Sequence, residues 1–181
     1  MELKGSKTEA NLKEAFAGES QARVKYEFFA GVAKKEEYDL IRGVFQETSD
    51  NEFEHAEKWF KLLNGGKMPN TSENLEIAAE GERYEHDVMY KEMAETAREE
   101  GFDQIAELFE KVGAIEDRHA KRYMQLKKEL DGDLMFEGEE GTIWICRKCG
   151  NMHIGENPPE ACPVCGHAGT FFEKANNELG L

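Results

Sequence analysis

Apolar residues recur at helical spacing from residue 6 to residue 130, a stretch with a single proline, Pro69. A period near 3.6 predicts amphipathic helices that turn one face to a common core. Local signals divide the stretch into four. Ser6-Lys7-Thr8-Glu9 fits a capping box and starts helix 1, which runs to about Glu36. Asp39 can cap helix 2, which ends at Asn64-Gly65-Gly66. Ser72 can cap helix 3, ending near Glu100-Gly101, and Asp103 can cap helix 4, ending at Asp131-Gly132.

The pattern then changes. Residues 133 to 141 read as a linker, and from Thr142 onward the chain carries paired cysteines, glycines and three of its four prolines. Such a segment suits short strands and turns stapled by a metal, because it is too small to fold on apolar burial alone. The expected organisation is a helical domain at 1–132, a linker at 133–141 and a small metal-binding domain at 142–181.

The helical part repeats at an offset of 64. Tyr26 matches Tyr90, Ala33 matches Ala97, Asp39 matches Asp103, Ile41 matches Ile105, Phe45 matches Phe109 and Leu62 matches Leu126. Tyr38/Phe102 and Trp59/Tyr123 are aromatic in both copies. This predicts a duplicated helical hairpin. Within the repeat, Glu52-Xaa-Xaa-His55 falls on Glu116-Xaa-Xaa-His119. Positions i and i+3 share a helix face, so each pair presents a carboxylate and an imidazole to one point.

Helix 1 adds Glu19, within Ala17-Gly18-Glu19-Ser20-Gln21-Ala22, and helix 3 adds Glu82 and Glu85, within Glu80-Gly81-Glu82-Arg83-Tyr84-Glu85. A four-helix bundle that holds two irons uses this kind of set. Glu54, Glu57, Glu92 and Glu95 are read as solvated surface residues. Hard oxygen donors with one or two imidazoles suit iron or manganese. Unpaired carboxylates facing inward would need a cation to compensate them.

Charge counting sharpens this. Two ferrous ions against five carboxylates leave −1, and exchanging one glutamate for a neutral histidine brings the sum to zero. Two ferric ions are balanced by five carboxylates and one hydroxide. One histidine and one glutamate could therefore exchange with oxidation state, and the repeat leaves His55 as the spare histidine.

Cys146-Arg147-Lys148-Cys149-Gly150 and Cys162-Pro163-Val164-Cys165-Gly166 form two Cys-Xaa-Xaa-Cys knuckles. They predict a tetrathiolate metal site, for which zinc and iron both qualify. A one-electron iron centre would give a redox bundle its electron source. Trp144, Phe171 and Phe172 are the expected core around it. His86, His153 and His167 receive no role.

The chain has 181 residues, 34% of them charged, with a net charge of −15. That acidity argues against nucleic acid and anionic membrane surfaces as partners. No apolar run approaches the length of a bilayer span, and the start lacks a signal-peptide core, so a cytoplasmic protein is expected. Clustered cysteines in a reducing compartment fit a metal better than disulfides.

Taken together, Gly18-Glu19-Ser20-Gln21-Ala22, Glu52-Xaa-Xaa-His55, Gly81-Glu82-Arg83-Tyr84-Glu85, Glu116-Xaa-Xaa-His119 and the cysteine quartet resemble the rubrerythrin family over essentially the whole chain. The resemblance implies a mainly α protein, a ferritin-like four-helix bundle followed by a small rubredoxin-like metal-binding β/turn domain. It implies three irons per chain, two bridged by carboxylates and one at the quartet. Glu52 and Glu116 would bridge, Glu19 and Glu85 would be terminal ligands of one iron, and Glu82 and His119 of the other. His55 would replace Glu85 on reduction, with Tyr26 and Tyr90 as hydrogen-bonding residues close by. The implied activity is peroxidase, hydrogen peroxide reduced to water in oxidative-stress defence. Electrons would come from NAD(P)H through a reductase and rubredoxin.

Helices 2 and 3 run parallel in a ferritin-like bundle, so their connection must cross its length. The link from Asn64 to Ser72 reaches about 27 Å when extended. About 27 Å along the axis and about 10 Å sideways are needed. A homodimer that swaps helix pairs follows as the expectation, unless helix 3 starts late and residues 72 to 78 serve as the crossover. Two rival readings remain: an iron-storage ferroxidase of the ferritin type, and a zinc-ribbon interaction protein on a structural bundle.

Overall fold

A computed structural model describes residues 2–175, so residue 1 and residues 176–181 of the two expected domains lie outside the described residues. The chain divides into two compact units, Met1–Pro69 and Asn70–Leu181.

The first unit is an antiparallel hairpin of α1 (Lys7–Lys35) and α2 (Asp39–Leu63). Ser6 accepts the Glu9 backbone N–H at 3.1 Å, which satisfies one orphan donor at the helix start, and the Glu9 carboxylate reaches back to the Gly5 N–H just before the cap. Of the expected box only the forward arm forms, because the Ser6 N–H is taken by the Leu3 carbonyl and the Glu9 carboxylate bonds Gly5 instead. Asp39 does not cap α2. Tyr38 occupies the cap with no side-chain bond, and Asp39, the first helical residue, pairs with Arg42 at 2.8 Å. Ala30, Ala33, Ser49 and Ala56 are buried where the two helices meet, since small side chains let the backbones approach. Ser49 Oγ donates to the Arg23 carbonyl across that seam at 3.1 Å. Aromatic rings flank it: Phe16 lies 5.5 Å from Phe60, and Phe29 5.5 Å from Phe45.

In the second unit, α3 (Thr71–Tyr84), a π-helical turn (Glu85–Met89) and α4 (Tyr90–Glu99) form one continuous arm, and α5 (Asp103–Asp131) returns along it. A capping box from Asn70 and Glu73 starts α3. Asn70 therefore replaces Ser72 as the cap, and Ser72 instead donates to Asp131 on α5 at 2.6 Å. Residues 72 to 78 are helix, not an extended crossover. Asp103, like Asp39, starts its helix without capping it. The sequence predicted an unbroken third helix, and the π turn corrects that. Ala94, Ala97 and Ala106 form the buried seam, with Phe109 packed against it.

Beyond α5 the chain forms β1 (Ile143–Cys146), β2 (Met152–Ile154) and β3 (Phe172–Lys174), an antiparallel sheet of order β2-β1-β3. Trp144, Cys146, Cys162 and Phe172 are its buried cluster. Phe171 is not part of that core: it is turned outward, under the Lys148 ammonium at 4.8 Å and edge-on to His167 at 5.3 Å. No helix among the described residues is long and apolar enough to cross a membrane.

Candidate metal centres

Each helical unit gathers one carboxylate–imidazole cluster. In the first, α1 supplies Glu19 and α2 supplies Glu52 and His55, with one potential ligand atom from each within 4.8 Å of the others. His55 Nδ1 lies 2.8 Å from Glu52 and 3.8 Å from Glu19. In the second, α3 supplies Glu82 and α5 supplies Glu116 and His119 within the same limit. His119 Nδ1 lies 2.7 Å from Glu116 and 3.5 Å from Glu82. The duplication seen in the sequence is thus a duplication of geometry.

Electrostatics point the same way. A hydrogen bond with Glu52, then burial and the Glu52 charge, hold the Glu19 pKa above its usual value. Burial, then Glu116, does the same to Glu82. Paired carboxylates strained in this way relax when they share a cation or a proton. Glu85 belongs to neither triplet, yet its charge helps raise both Glu82 and Tyr90. Burial is the larger cause at Tyr90, and the higher pKa keeps its phenol protonated as a donor. Tyr26 packs against Phe29 and Phe45.

The π turn explains how the second arm carries an extra carboxylate. Tyr26 lies seven residues after Glu19, but Tyr90 lies eight after Glu82. At roughly 100° per residue, seven residues return to the same helix face and eight overshoot it. A π turn takes up one residue and restores the facing. Gly18-Glu19 matches Gly81-Glu82 at an offset of 63, whereas the tyrosines match at 64. This change of offset was the signal in the sequence. His86, in the turn, donates Nδ1–H to the Gly113 carbonyl of α5 at 2.7 Å and ties the turn down. Gly113 also lets α5 close on the arm: a Cβ there would lie 3.2 Å from Tyr90 Cβ.

The four cysteines converge on one point. Cys146 and Cys165 sulfurs are 3.8 Å apart, and Cys149 and Cys162 sulfurs 3.6 Å. Disulfide bonds are far shorter, whereas a tetrahedron with metal–sulfur bonds of about 2.3 Å has edges of about 3.8 Å. The quartet therefore fits a tetrahedral metal. Each knuckle closes by a backbone bond, Gly150 N–H to Cys146 O and Gly166 N–H to Cys162 O, with both glycines at positive φ. Burial raises the Cys162 thiol, but the Cys165 and Val164 amides and the neighbouring thiols outweigh it and bring it down to about 6. Cys149, despite the Asn151 amide, is pushed up to about 12 by burial and the other three thiols, so the four do not ionise together without a cation. His167 Nδ1 sits 3.3 Å from Cys165 Sγ, a contact the sequence did not announce.

The rubrerythrin family model matches residues 10–127 and 73–143, and the rubrerythrin rubredoxin-like domain matches residues 144–173. A rubrerythrin of Porphyromonas gingivalis is 44% identical, with 94% of this chain and 91% of the relative covered. The chain belongs to the rubrerythrin family. Its similarity extends to a rubrerythrin of Nitratidesulfovibrio vulgaris at 42% identity, covering 94% and 95% of the two chains. A putative rubrerythrin of Methanocaldococcus jannaschii is 38% identical over 90% of each. Membership places the chain among iron-binding oxidoreductases, with a ferritin-like helical part and a rubredoxin-like domain.

Proposed function

We propose that this protein reduces hydrogen peroxide to water at a di-iron centre formed by both carboxylate–imidazole clusters, with electrons arriving through iron at the cysteine quartet. The pairing of two matched hard-donor clusters with a thiolate quartet in one chain carries this reading. Three irons per chain are expected. When bound, the two irons would supply the two electrons that O–O cleavage requires, and the quartet iron would restore them singly.

The chain's own residues then divide the work. Glu52 and Glu116 would hold both irons, Glu19, Glu82, Glu85 and His119 would complete the ligand set, and His55 would exchange with Glu85 on reduction. Tyr90 holds a proton at its phenol oxygen through the neutral range, which suits donation to a ligand carboxylate or to a peroxide oxygen. Tyr26 has the matching place in the other copy. An NAD(P)H-dependent reductase and rubredoxin are the donors this scheme needs.

The site also calls for a second copy of the chain. In the parallel arrangement, His55 to Leu63 and Thr71 to Glu82 add up to about 28 Å of helix, with about 10 Å sideways. The link from Leu63 to Thr71 spans at most about 27 Å. Gly65 and Gly66 curl part of it, at φ of 70° and 87°. Val24, Phe28, Val32 and Ile41 on the first unit, and Ile77, Met93, Ile105 and Leu108 on the second, are exposed and need cover. A homodimer that exchanges helix pairs meets both demands.

The test is peroxide turnover with a reconstituted donor chain. His55→Ala should lower turnover at least tenfold while iron content holds. Unchanged turnover would remove the ligand exchange from the scheme.

A further inference from the structure

Among the described residues, one buried side-chain nitrogen or oxygen has no hydrogen-bond partner: the indole Nε1 of Trp59. A buried donor left unpaired is a cost that native proteins rarely retain without a use. Trp144, the only other tryptophan in the sequence, donates its Nε1–H to the Gly155 carbonyl at 2.9 Å.

Position gives Trp59 a partner in waiting. It lies four residues after His55 and seven after Glu52 on α2, so all three occupy one stripe. Facing the stripe from α1 is Glu19, 3.8 Å from His55 Nδ1. Helical side chains lean toward the helix N-terminus, which brings the Trp59 indole back along the stripe toward His55 and the facing Glu19. Yet Nε1 makes no hydrogen bond. A buried donor beside the carboxylate–imidazole cluster is thus left without an acceptor. At the matching place of the repeat stands Tyr123, which has no indole, so the device belongs to one half only.

We propose that Trp59 is a positioning residue for the metal centre: its indole N–H closes on the Glu19 carboxylate when that carboxylate takes a metal. The bond would orient one oxygen toward the metal and hold the other. This rests on reading Glu19 as a ligand. Groups that hydrogen-bond a metal ligand from behind typically tune metal affinity about 10–100-fold.

Zinc, a diamagnetic probe, tests it on the full-length protein with the quartet already zinc-filled. Nitrogen-15 spectra contain two indole N–H signals, and Trp59→Phe assigns them. On titration of zinc into the helical site, the Trp59 signal should move downfield and exchange more slowly with solvent, while the Trp144 signal stays in place. Trp59→Phe should weaken zinc binding about tenfold by chelator competition. The melting temperature of its metal-free helical site should hold or rise, because an unpaired donor has been removed. If zinc binds and the Trp59 signal does not move, or if Trp59→Phe destabilises metal-free and loaded protein alike, the residue only packs and the proposal falls. If zinc does not bind the helical clusters of the wild type, the reading of Glu19 as a ligand falls, and this proposal with it.

Discussion

Removing the metal should expose a penalty stored in the paired carboxylates, and Glu52→Gln isolates it. Glu19 has a folded pKa raised above its usual 4.5, first by its hydrogen bond with Glu52. Such a group adds stability below the unfolded pKa and loses that stability as pH rises through the folded one. At pH 8 the metal-free pair is therefore a burden. Ligand atoms of the cluster lie within 4.8 Å of one another. At that distance two charges repel by about 1 kcal/mol in water and about 3.5 kcal/mol at an effective dielectric of 20. Glu19, with 29% of its side chain exposed, belongs toward the lower figure. Glu52→Gln also loses the 2.8 Å contact to His55, an exposed pair that contributes at most about 1 kcal/mol. The net metal-free gain is on the order of 1 kcal/mol, or about 2–4 °C in melting temperature. Thermal melts at pH 8, with the helical sites stripped and then loaded, provide the assay. The variant should melt higher than wild type when stripped and lower when loaded, and the stripped advantage should shrink toward pH 4. Equal losses in both states would mean that Glu52 acts through packing, and the electrostatic reasoning would fail.

The π turn and the cysteine quartet each give a further prediction. Deleting Asp87 should convert the turn to regular α-helix and leave the melting temperature within a few degrees, because Glu82 and Tyr90 then stand seven apart and still share a face. Deleting Lys25, between Glu19 and Tyr26 in the regular α1, should rotate one against the other by roughly 100° and cost far more stability in the same melt. Stripping the quartet with a chelator should open the small sheet, since its buried cluster is only Trp144, Cys146, Cys162 and Phe172. Trp144 emission should shift to the red with little change in helical circular dichroism.

Much of the helical part was legible because two copies of one pattern reinforced each other. Glu52/His55 and Glu116/His119 are ordinary residues singly, but as a repeat on helical faces they required a shared chemistry, and each pair does meet a glutamate from the preceding arm. The caps at Asp39 and Asp103 were misread because both follow an aromatic that turns the chain by backbone bonds, Tyr38 N–H to Ala33 O and Phe102 N–H to Ala97 O, with no side-chain help. The π turn escaped because periodicity averages over a helix and one extra residue is lost in the average; only comparison between the copies reveals it. Phe171 has the composition of core, but it closes a 3-10 turn, Gly169–Phe171, ahead of β3, and that turn leaves its ring at the surface while Phe172 is buried. The contacts of His86 and His167 depend on partners 27 and 2 residues away, and the burial of the Trp59 indole depends on packing between helices. No sequence period encodes such contacts.

In the proposed scheme a peroxide-reducing carboxylate site, completed by a second copy of the chain, is coupled to a thiolate electron relay. Anaerobic mixing of the fully reduced protein with one equivalent of hydrogen peroxide tests it most directly, with the thiolate-to-iron absorption followed in the stopped flow. The helical site should be oxidised first, much faster than by dioxygen, with peroxide consumed to water and no radical released. The thiolate-to-iron band should then grow in as the quartet refills that site. A band that appears at the same rate with dioxygen as with peroxide, or peroxide that survives the mixing, would mean that the helical site is not a peroxide reductase.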